Sequence, residues 1–171
     1  MVSLRQEAAS YFESLQNSIC TAVETADGKE QFNEEIWSHP ESGGGKTRVI
    51  QIGNVFEKGG VNFSAVTTKL SDTLASRMNI KPQAIYATGI SLVLHPLSPM
   101  IPTVHMNLRY LEPENGEPWF GGGVDLTPYY LFNEDAIHFH TTLKTACEKH
   151  DPGFYPKFKT WCDEYFFIKH R

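Results

Sequence analysis

Hydrophobic and polar residues alternate along two neighbouring stretches in the middle of the chain, residues 84–94 and 103–111. An alternation of period two is typical of a β-strand, because successive side chains point to opposite faces of the sheet. In the second stretch His105, Asn107 and Arg109 share one face, and aliphatic residues occupy the other. The pattern therefore predicts two strands that each present a polar face.

The first of these strands places Ser91, Val93 and His95 on one face. Three prolines between the strands stiffen the connection, because proline fixes its own backbone and donates no hydrogen bond. Two interpretations of the polar row are open. It is either the floor of a pocket or the solvated face of an antiparallel sheet.

Helical spacing of apolar residues predicts a helix over residues 3–26, where Ser3 and Gln6 form a capping-box pattern. Further helices are predicted at 71–78, from Asn133 to about Lys149, and from near Pro156. The last helix carries an aromatic and aliphatic stripe, which we expect to be core: Phe158, Trp161, Tyr165 and Ile168.

Strands are also predicted at residues 32–37, 48–56 and 61–66, with a turn at residues 58–60 joining the last two. The SGGGK stretch at 42–46 is expected to be a flexible loop. It is not a phosphate-binding loop, because Pro40 stands where that motif requires glycine. Helices and strands in this mixed order favour an α+β class with an antiparallel sheet.

Asp125 follows three consecutive glycines, and this stretch is expected to be a loop. Glycines allow a close backbone approach, so the acid is either delivered into a cavity or caps an ordinary turn. Arg109 is suited to a carboxylate ligand, with a structural ion pair as the alternative. Together with a histidine, these two residues would suit deprotonation of a carboxylate-bearing substrate.

Composition narrows the class of protein. A length of 171 residues predicts a single domain or part of one, and the net charge of −5 without basic clusters argues against nucleic-acid binding. Three widely spaced cysteines support neither a zinc ribbon nor a disulfide framework, and Cys147 and Cys162 are expected to be buried thiols. No apolar run is long enough to span a membrane, and the amino terminus resembles no targeting signal, so a cytoplasmic location is expected.

Seven histidines raise the question of a metal site. His95 and His105 lie on polar strand faces, whereas His140 lies on an apolar helix face. A single histidine in such a place is more often structural than a ligand, and the usual zinc-protease and facial-triad patterns are absent. Sequence alone leaves the metal question open.

Four long segments in this order resemble the oxygen-dependent coproporphyrinogen III oxidases: SLVLHPLSPMIPTVHMNLRYLE, WFGGGVDLTPYY, EDAIHFH and YPKFKTWCDEYFFIKHR. The earlier stretch GGGKTRVIQIGNVFEKGGVNFSAV matches the same family, so the resemblance covers nearly the whole chain. It implies an α+β fold with a large, flat antiparallel sheet flanked by helices on both faces, and a homodimer. Because members of the family continue beyond this segment, residues 1–171 are expected to form the amino-terminal part of a longer domain.

The resemblance also implies a reaction. Two propionates of coproporphyrinogen III become vinyl groups, which gives protoporphyrinogen IX and releases CO2 and hydrogen peroxide. Molecular oxygen is the co-substrate, and neither flavin nor haem takes part. Two alternatives stand beside this activity: a non-catalytic tetrapyrrole-binding fragment, and a histidine-ligated metal-dependent hydrolase.

Residue roles follow from the resemblance position by position. His105 matches a proton donor, Asp125 an acid that engages the pyrrole N–H groups, and Arg109 a residue that holds a propionate. Ser91 and the segment 107–109 match substrate contacts: Ser91, Asn107, Leu108 and Arg109. A divalent metal is implied only for some members, with four histidines matching its ligands in bacterial relatives: His95, His105, His140 and His170.

Overall fold

The computed structural model of the protein describes residues 2–77 and 80–169, without the side chains of residues 74 and 77. The chain divides into two compact units, Met1–Thr127 and Pro128–Arg171. Each unit is described by itself below. The expectation that the whole chain belongs to one domain stays a prediction.

The first unit is an antiparallel sheet of six strands in the order in which they occur along the chain. Its elements are α1 Leu4–Asp27, β1 Asn33–Ser38, β2 Gly43–Gln51, β3 Phe56–Lys69, α2 Asp72–Arg77, β4 Ala84–Pro96, β5 Thr103–Pro113 and β6 Trp119–Thr127. Each strand pairs with the next one. The predicted α+β class with an antiparallel sheet is confirmed.

Helix α1 begins at the predicted capping box, in which the Ser3 side chain accepts from the Gln6 N–H and the Gln6 side chain accepts from the Ser3 N–H. It ends at Gly28, whose left-handed backbone (φ 69°) suits glycine. The helix packs on β3, β4 and β5 and buries the main core with them. At the centre of this core, Phe12 is 4% exposed and Ile50 is fully buried.

The SGGGK stretch is not a loop, contrary to the sequence-based expectation. Gly43, Gly44 and Gly45 open strand β2, where all three pair with β3 and the last two also pair with β1. A run of glycines has no side chains and therefore shows no alternation of apolar and polar residues, so the sequence pattern did not indicate a strand here. The requirement for glycine comes from the neighbours, because a Cβ atom on Gly45 would lie 2.6 Å from the indole of Trp37.

The turn between β2 and β3 lies at residues 52–55, not at the predicted residues 58–60, which are inside β3. The Asp27 carboxylate explains the position of this turn. It accepts hydrogen bonds from the N–H groups of Asn54, Val55 and Phe56, at 3.1, 2.9 and 3.1 Å. Asp27 comes from the end of α1, so no local turn pattern reveals this contact.

The glycine-rich segment around Asp125 is strand β6, not a loop. Gly121, Gly122 and Gly123 lie opposite Arg109, Leu108 and Asn107 of β5. Gly122 has a φ of 153°, and a Cβ atom there would lie 2.0 Å from the Asn107 carbonyl oxygen. Glycine therefore lets β6 pair closely with β5.

The second unit contains α3 Asn133–Glu148 and α4 Phe154–Phe166, close to the predicted bounds. The predicted core stripe of α4 is wrong, because its aromatic residues are exposed, with Trp161 at 60% and Tyr165 at 83%. Neighbouring rings along α4 pack on one another instead, with Phe158 and Trp161 centroids 6.1 Å apart. Cys147 and Cys162, which were expected to be buried thiols, are only partly buried. No described residue of α3 or α4 is fully buried.

Candidate active site

The polar row predicted on β5 lies on the sheet face opposite α1. Strand pairing places Ser91 opposite Asn107, and Asp125 opposite His105, so these side chains share that face. Leu108 lies on the other face, where it packs against the core beneath α1. A contact of Leu108 with substrate stays a prediction, and its backbone rather than its side chain would make that contact.

His105 and Asp125 form a hydrogen-bonded pair, with Nδ1 of the imidazole 2.8 Å from Oδ1 of the carboxylate. The Thr127 hydroxyl donates to the same oxygen at 2.9 Å. Both side chains remain accessible, at 41% exposure for His105 and 23% for Asp125. Asp125 therefore caps no ordinary turn but sits within a strand, facing a histidine.

The hydrogen bond also fixes the chemical form of the ring. A carboxylate only accepts, so Nδ1 of His105 carries a proton and donates it to Asp125. Nε2 is then the nitrogen that accepts or delivers a proton elsewhere. A carboxylate that orients an imidazole in this way prepares it for general acid or base chemistry.

Arg109 lies four residues along β5 from His105, on the same face and exposed. The other two arginines with described side chains are paired, Arg5 with Glu112 at 2.9 Å and Arg48 with Glu34 at 2.7 Å. Arg109 has no carboxylate partner among the residues that the structure describes. A ligand carboxylate would complete its hydrogen bonding, which favours the binding interpretation over the structural ion pair.

A groove of about 570 Å³ crosses the same sheet face within the first unit. Its volume is in the range of clefts that bind small molecules and cofactors. Arg109 lies at one end, with Ser91 and Asn62 along the floor. Two residues of the polar row, Ser91 and Arg109, thus line a groove, whereas His105, Asn107 and Asp125 share the sheet face without lining it.

His95 lies beside this pair, with its ring perpendicular to that of His105 and 6.3 Å from it, centroid to centroid. Its Nδ1 is 3.5 Å from the Thr103 hydroxyl oxygen. In the second unit, Nδ1 of His140 is 3.1 Å from the Tyr155 hydroxyl. His170 lies outside the described residues, so the predicted four-histidine metal set is not tested.

The donor set that the structure does describe is incomplete for a metal. Over residues 2–77 and 80–169, no group of three or more His, Cys, Asp and Glu side chains is placed to hold an ion. Metal sites in proteins ordinarily use at least three protein ligands.

Sequence reasoning missed the far side of the groove, which is lined by Trp37, His39 and Thr47. Trp37 ends a predicted strand and His39 follows it, shortly before the stretch that was expected to be a loop, so the sequence did not show that they lie across the groove from Arg109. The one available signal was the alternation of the predicted strand at residues 32–37. That alternation does not show which strands lie beside it.

Comparison with known proteins identifies the family to which the chain belongs. The sequence model described as coproporphyrinogen III oxidase matches residues 7–171, and the chain belongs to this family. It is 46% identical to coproporphyrinogen-III oxidase 1, chloroplastic, of Arabidopsis thaliana, over 184 aligned positions that cover 99% of the chain and 48% of the relative. The oxygen-dependent coproporphyrinogen-III oxidase, chloroplastic, of Glycine max gives the same identity and coverage. The chain thus spans about half the length of these curated relatives.

No helix among the described residues is long and apolar enough to cross a membrane.

Proposed function

We propose that the chain carries the substrate-binding sheet of an oxygen-dependent coproporphyrinogen III oxidase, and that it takes part in the oxidative decarboxylation of two propionates to vinyl groups. For each propionate, the bond to the carboxyl carbon breaks, a β-hydrogen leaves, and oxygen accepts two electrons. One propionate, one O2 and one proton thereby give one vinyl group, one CO2 and one hydrogen peroxide. Family membership and the names of the relatives support this proposal.

The observation that carries the proposal is that Arg109, on the face that also presents His105 and Asp125, has no carboxylate partner among the residues that the structure describes. Four residues along a strand span about 13 Å, so a propionate at Arg109 leaves room for a macrocycle between the arginine and the histidine. Arg109 would fix the position of the substrate, because a guanidinium holds a carboxylate by two parallel hydrogen bonds. Ser91 and Asn107 would contact the macrocycle between them.

His105 and Asp125 would handle protons in this arrangement. The reaction consumes one proton for each propionate, and Nε2 of His105 would supply it after taking up a proton from solvent to form the imidazolium. Asp125 accepts the hydrogen bonds of His105 and Thr127 on Oδ1, which would leave Oδ2 to face a pyrrole N–H. A pyrrole N–H polarised in this way makes the ring more electron-rich, which favours its reaction with oxygen.

The remaining features of the proposed enzyme rest on the resemblance. Molecular oxygen would be the co-substrate, in keeping with the names of the relatives, without flavin or haem. A homodimer is proposed, as is a cytoplasmic location, although both curated relatives are named as chloroplast proteins. A divalent metal at the histidines stays a prediction.

The test is aerobic incubation of the chain with coproporphyrinogen III, followed by chromatography for protoporphyrinogen IX, with and without a chelator and with an anaerobic control. Product that needs oxygen and survives the chelator would support the proposal. Porphyrinogen binding without product would favour the non-catalytic tetrapyrrole-binding alternative for this chain. If the chelator abolishes product formation, the reaction needs a metal, and the histidines are its candidate ligands.

Asp125→Ala tests the role of the pair directly. Loss of a positioned acid–base group is expected to lower turnover by about 10²- to 10⁴-fold, with little change in the melting temperature because Asp125 is accessible. Asp72→Ala, which removes an exposed carboxylate from α2, is the matched control. Near-normal turnover in Asp125→Ala would contradict the assignment.

A further inference from the structure

One row of directly paired residues crosses the sheet from β1 to β5. It consists of Trp37, Gly45, Ser64, Gly89 and Arg109, each opposite the next. The two end residues are large, and the three between them have little or no side chain. This row therefore forms a trough in the sheet face with a wall at each end.

The wall at the β1 end is the indole of Trp37, which is held down on the floor of the trough. A Cβ atom on Gly45 would lie 2.6 and 2.9 Å from two ring carbons of Trp37. The ring thus occupies the space that a side chain at position 45 would fill. Trp37 is half-buried by this contact and lines the groove with the rest of its surface.

The two walls are far apart. Neighbouring strands are about 4.8 Å apart, so four steps from β1 to β5 separate the two backbones by about 19 Å. The Trp37 ring over Gly45 and the Arg109 side chain shorten this span, and a ligand that touches both must cross the strands between them. A tetrapyrrole with an acid group on each side has the extent to touch both.

His39 adds a polar group to the Trp37 wall. It is half-buried, lines the groove, and accepts a hydrogen bond on Nδ1 from the Glu41 N–H at 3.3 Å. An imidazole that accepts on Nδ1 carries its proton on Nε2 in the neutral form. His39 is therefore arranged as a hydrogen-bond donor through Nε2, which suits a carboxylate oxygen.

We propose that Trp37 and His39 form a second recognition element for the tetrapyrrole, opposite Arg109. Trp37 packs against the macrocycle, and His39 donates to a propionate other than the one at Arg109. This inference rests on the proposed function. It implies that the groove prefers a substrate with acid groups on opposite sides, such as coproporphyrinogen with four propionates, over the product with two.

The test uses two stable oxidised probes, coproporphyrin III and protoporphyrin IX, titrated against the folded chain by porphyrin fluorescence. Trp37→Ala is expected to weaken binding of both probes roughly tenfold, because it removes an aromatic packing surface. His39→Leu is expected to reduce the preference for coproporphyrin about three- to tenfold, and His39→Gln, which keeps a donor, is expected to restore most of it. Ile36→Ala is the control, because it changes an exposed neighbour on the same strand.

The outcomes separate the two proposals. If the wild-type chain binds neither probe while remaining folded, the proposed function fails, and this inference fails with it. If the wild-type chain binds and the Trp37 and His39 variants match it, only the inference is overturned. Should Trp37→Ala not fold by circular dichroism, Trp37→Phe decides: weaker binding of both probes than in the wild type supports the inference, and wild-type affinity overturns it.

Discussion

The two faces of the sheet differ in how their polar groups are used. Beneath α1, Arg5 donates to both carboxylate oxygens of Glu112, at 3.3 and 2.9 Å, and the Tyr110 hydroxyl donates to the same carboxylate at 2.7 Å. Hydrogen bonds from Arg5 and Tyr110 lower the pKa of Glu112. On the face opposite α1, called the open face below, Arg109 has no such partner among the described residues.

The difference separates the sheet face that packs against α1 and stabilises the fold from the face that we propose binds the substrate. On the α1 side, buried polar atoms find partners within the chain, and among the described buried side chains only Oε1 of Gln16 lacks one. Even there, Nε2 of Gln16 donates to the carbonyl oxygens of Lys46 and Val61 at 2.9 Å. On the open face Arg109 is exposed and finds no carboxylate among the described residues, so a ligand carboxylate can bind it without displacing a protein partner.

The sheet face that α1 covers is called the closed face below. Phe12→Ala on this side is expected to have the largest effect on stability. Phe12 is 4% exposed at the centre of the interface between α1 and the sheet, so its removal leaves a cavity. We expect a loss of about 3–5 kcal/mol in the free energy of unfolding, measured by urea denaturation. Tyr11→Ala is the control one residue away, since Tyr11 is 64% exposed and should cost far less. Equal losses in the two variants would contradict this description of the core.

A pair of arginine variants compares the two faces directly. Arg109→Gln is expected to weaken coproporphyrin III binding by about 1.5–3 kcal/mol, the usual contribution of a hydrogen bond to a charged group, while the melting temperature stays near that of the wild type. Arg5→Gln removes the same charge from the closed face. It is expected to lower the melting temperature and to leave porphyrin affinity unchanged.

The contrast fails if the two arginine variants behave alike. A fall in melting temperature with Arg109→Gln would mean that Arg109 has a structural partner. Weaker porphyrin binding with Arg5→Gln, measured on the folded fraction, would mean that the closed face reaches the ligand.

Much of this contrast could be read from the sequence. Alternation correctly placed His105, Asn107 and Arg109 on one face of β5, because each strand there carries side chains of contrasting polarity. The capping box of α1 was equally clear, since Ser3 and Gln6 act within one helical turn. Local patterns succeed where local neighbours decide the structure.

The errors lie where distant residues decide. Gly43–Gly45 and the glycines of β6 carry no polarity pattern, and only their cross-strand neighbours make them strands. The pairing of His105 with Asp125 likewise depends on the register between β5 and β6, which no motif in either strand specifies. Trp37 was not recognised as a groove residue for the same reason.

Asp27, the buried last residue of α1, also makes contacts with residues distant in the sequence. Its carboxylate accepts from the Glu30 N–H as well as from the three turn residues 54–56, and Gly53 leaves room for it. Burial alone would raise the pKa of Asp27, but the backbone N–H donors of Val55, Glu30, Phe56 and Asn54 outweigh it and hold the pKa well below its usual value. The folded state therefore favours the charged carboxylate.

This lowered pKa predicts a pH dependence of stability. The contribution of Asp27 is present above the pKa of the unfolded chain, about 3.9, and is lost as the pH falls through the lower pKa of the folded state. Asp27→Asn keeps one carbonyl acceptor for the Glu30 and Asn54 N–H groups but turns an amide toward those of Val55 and Phe56. We therefore expect a modest loss of stability at pH 7 that shrinks as the pH falls below 4, measured by thermal melts from pH 2 to 7. Asp72→Asn, at an exposed position, should follow the wild type throughout, and a constant gap for Asp27→Asn would show that its charge contributes nothing to the fold.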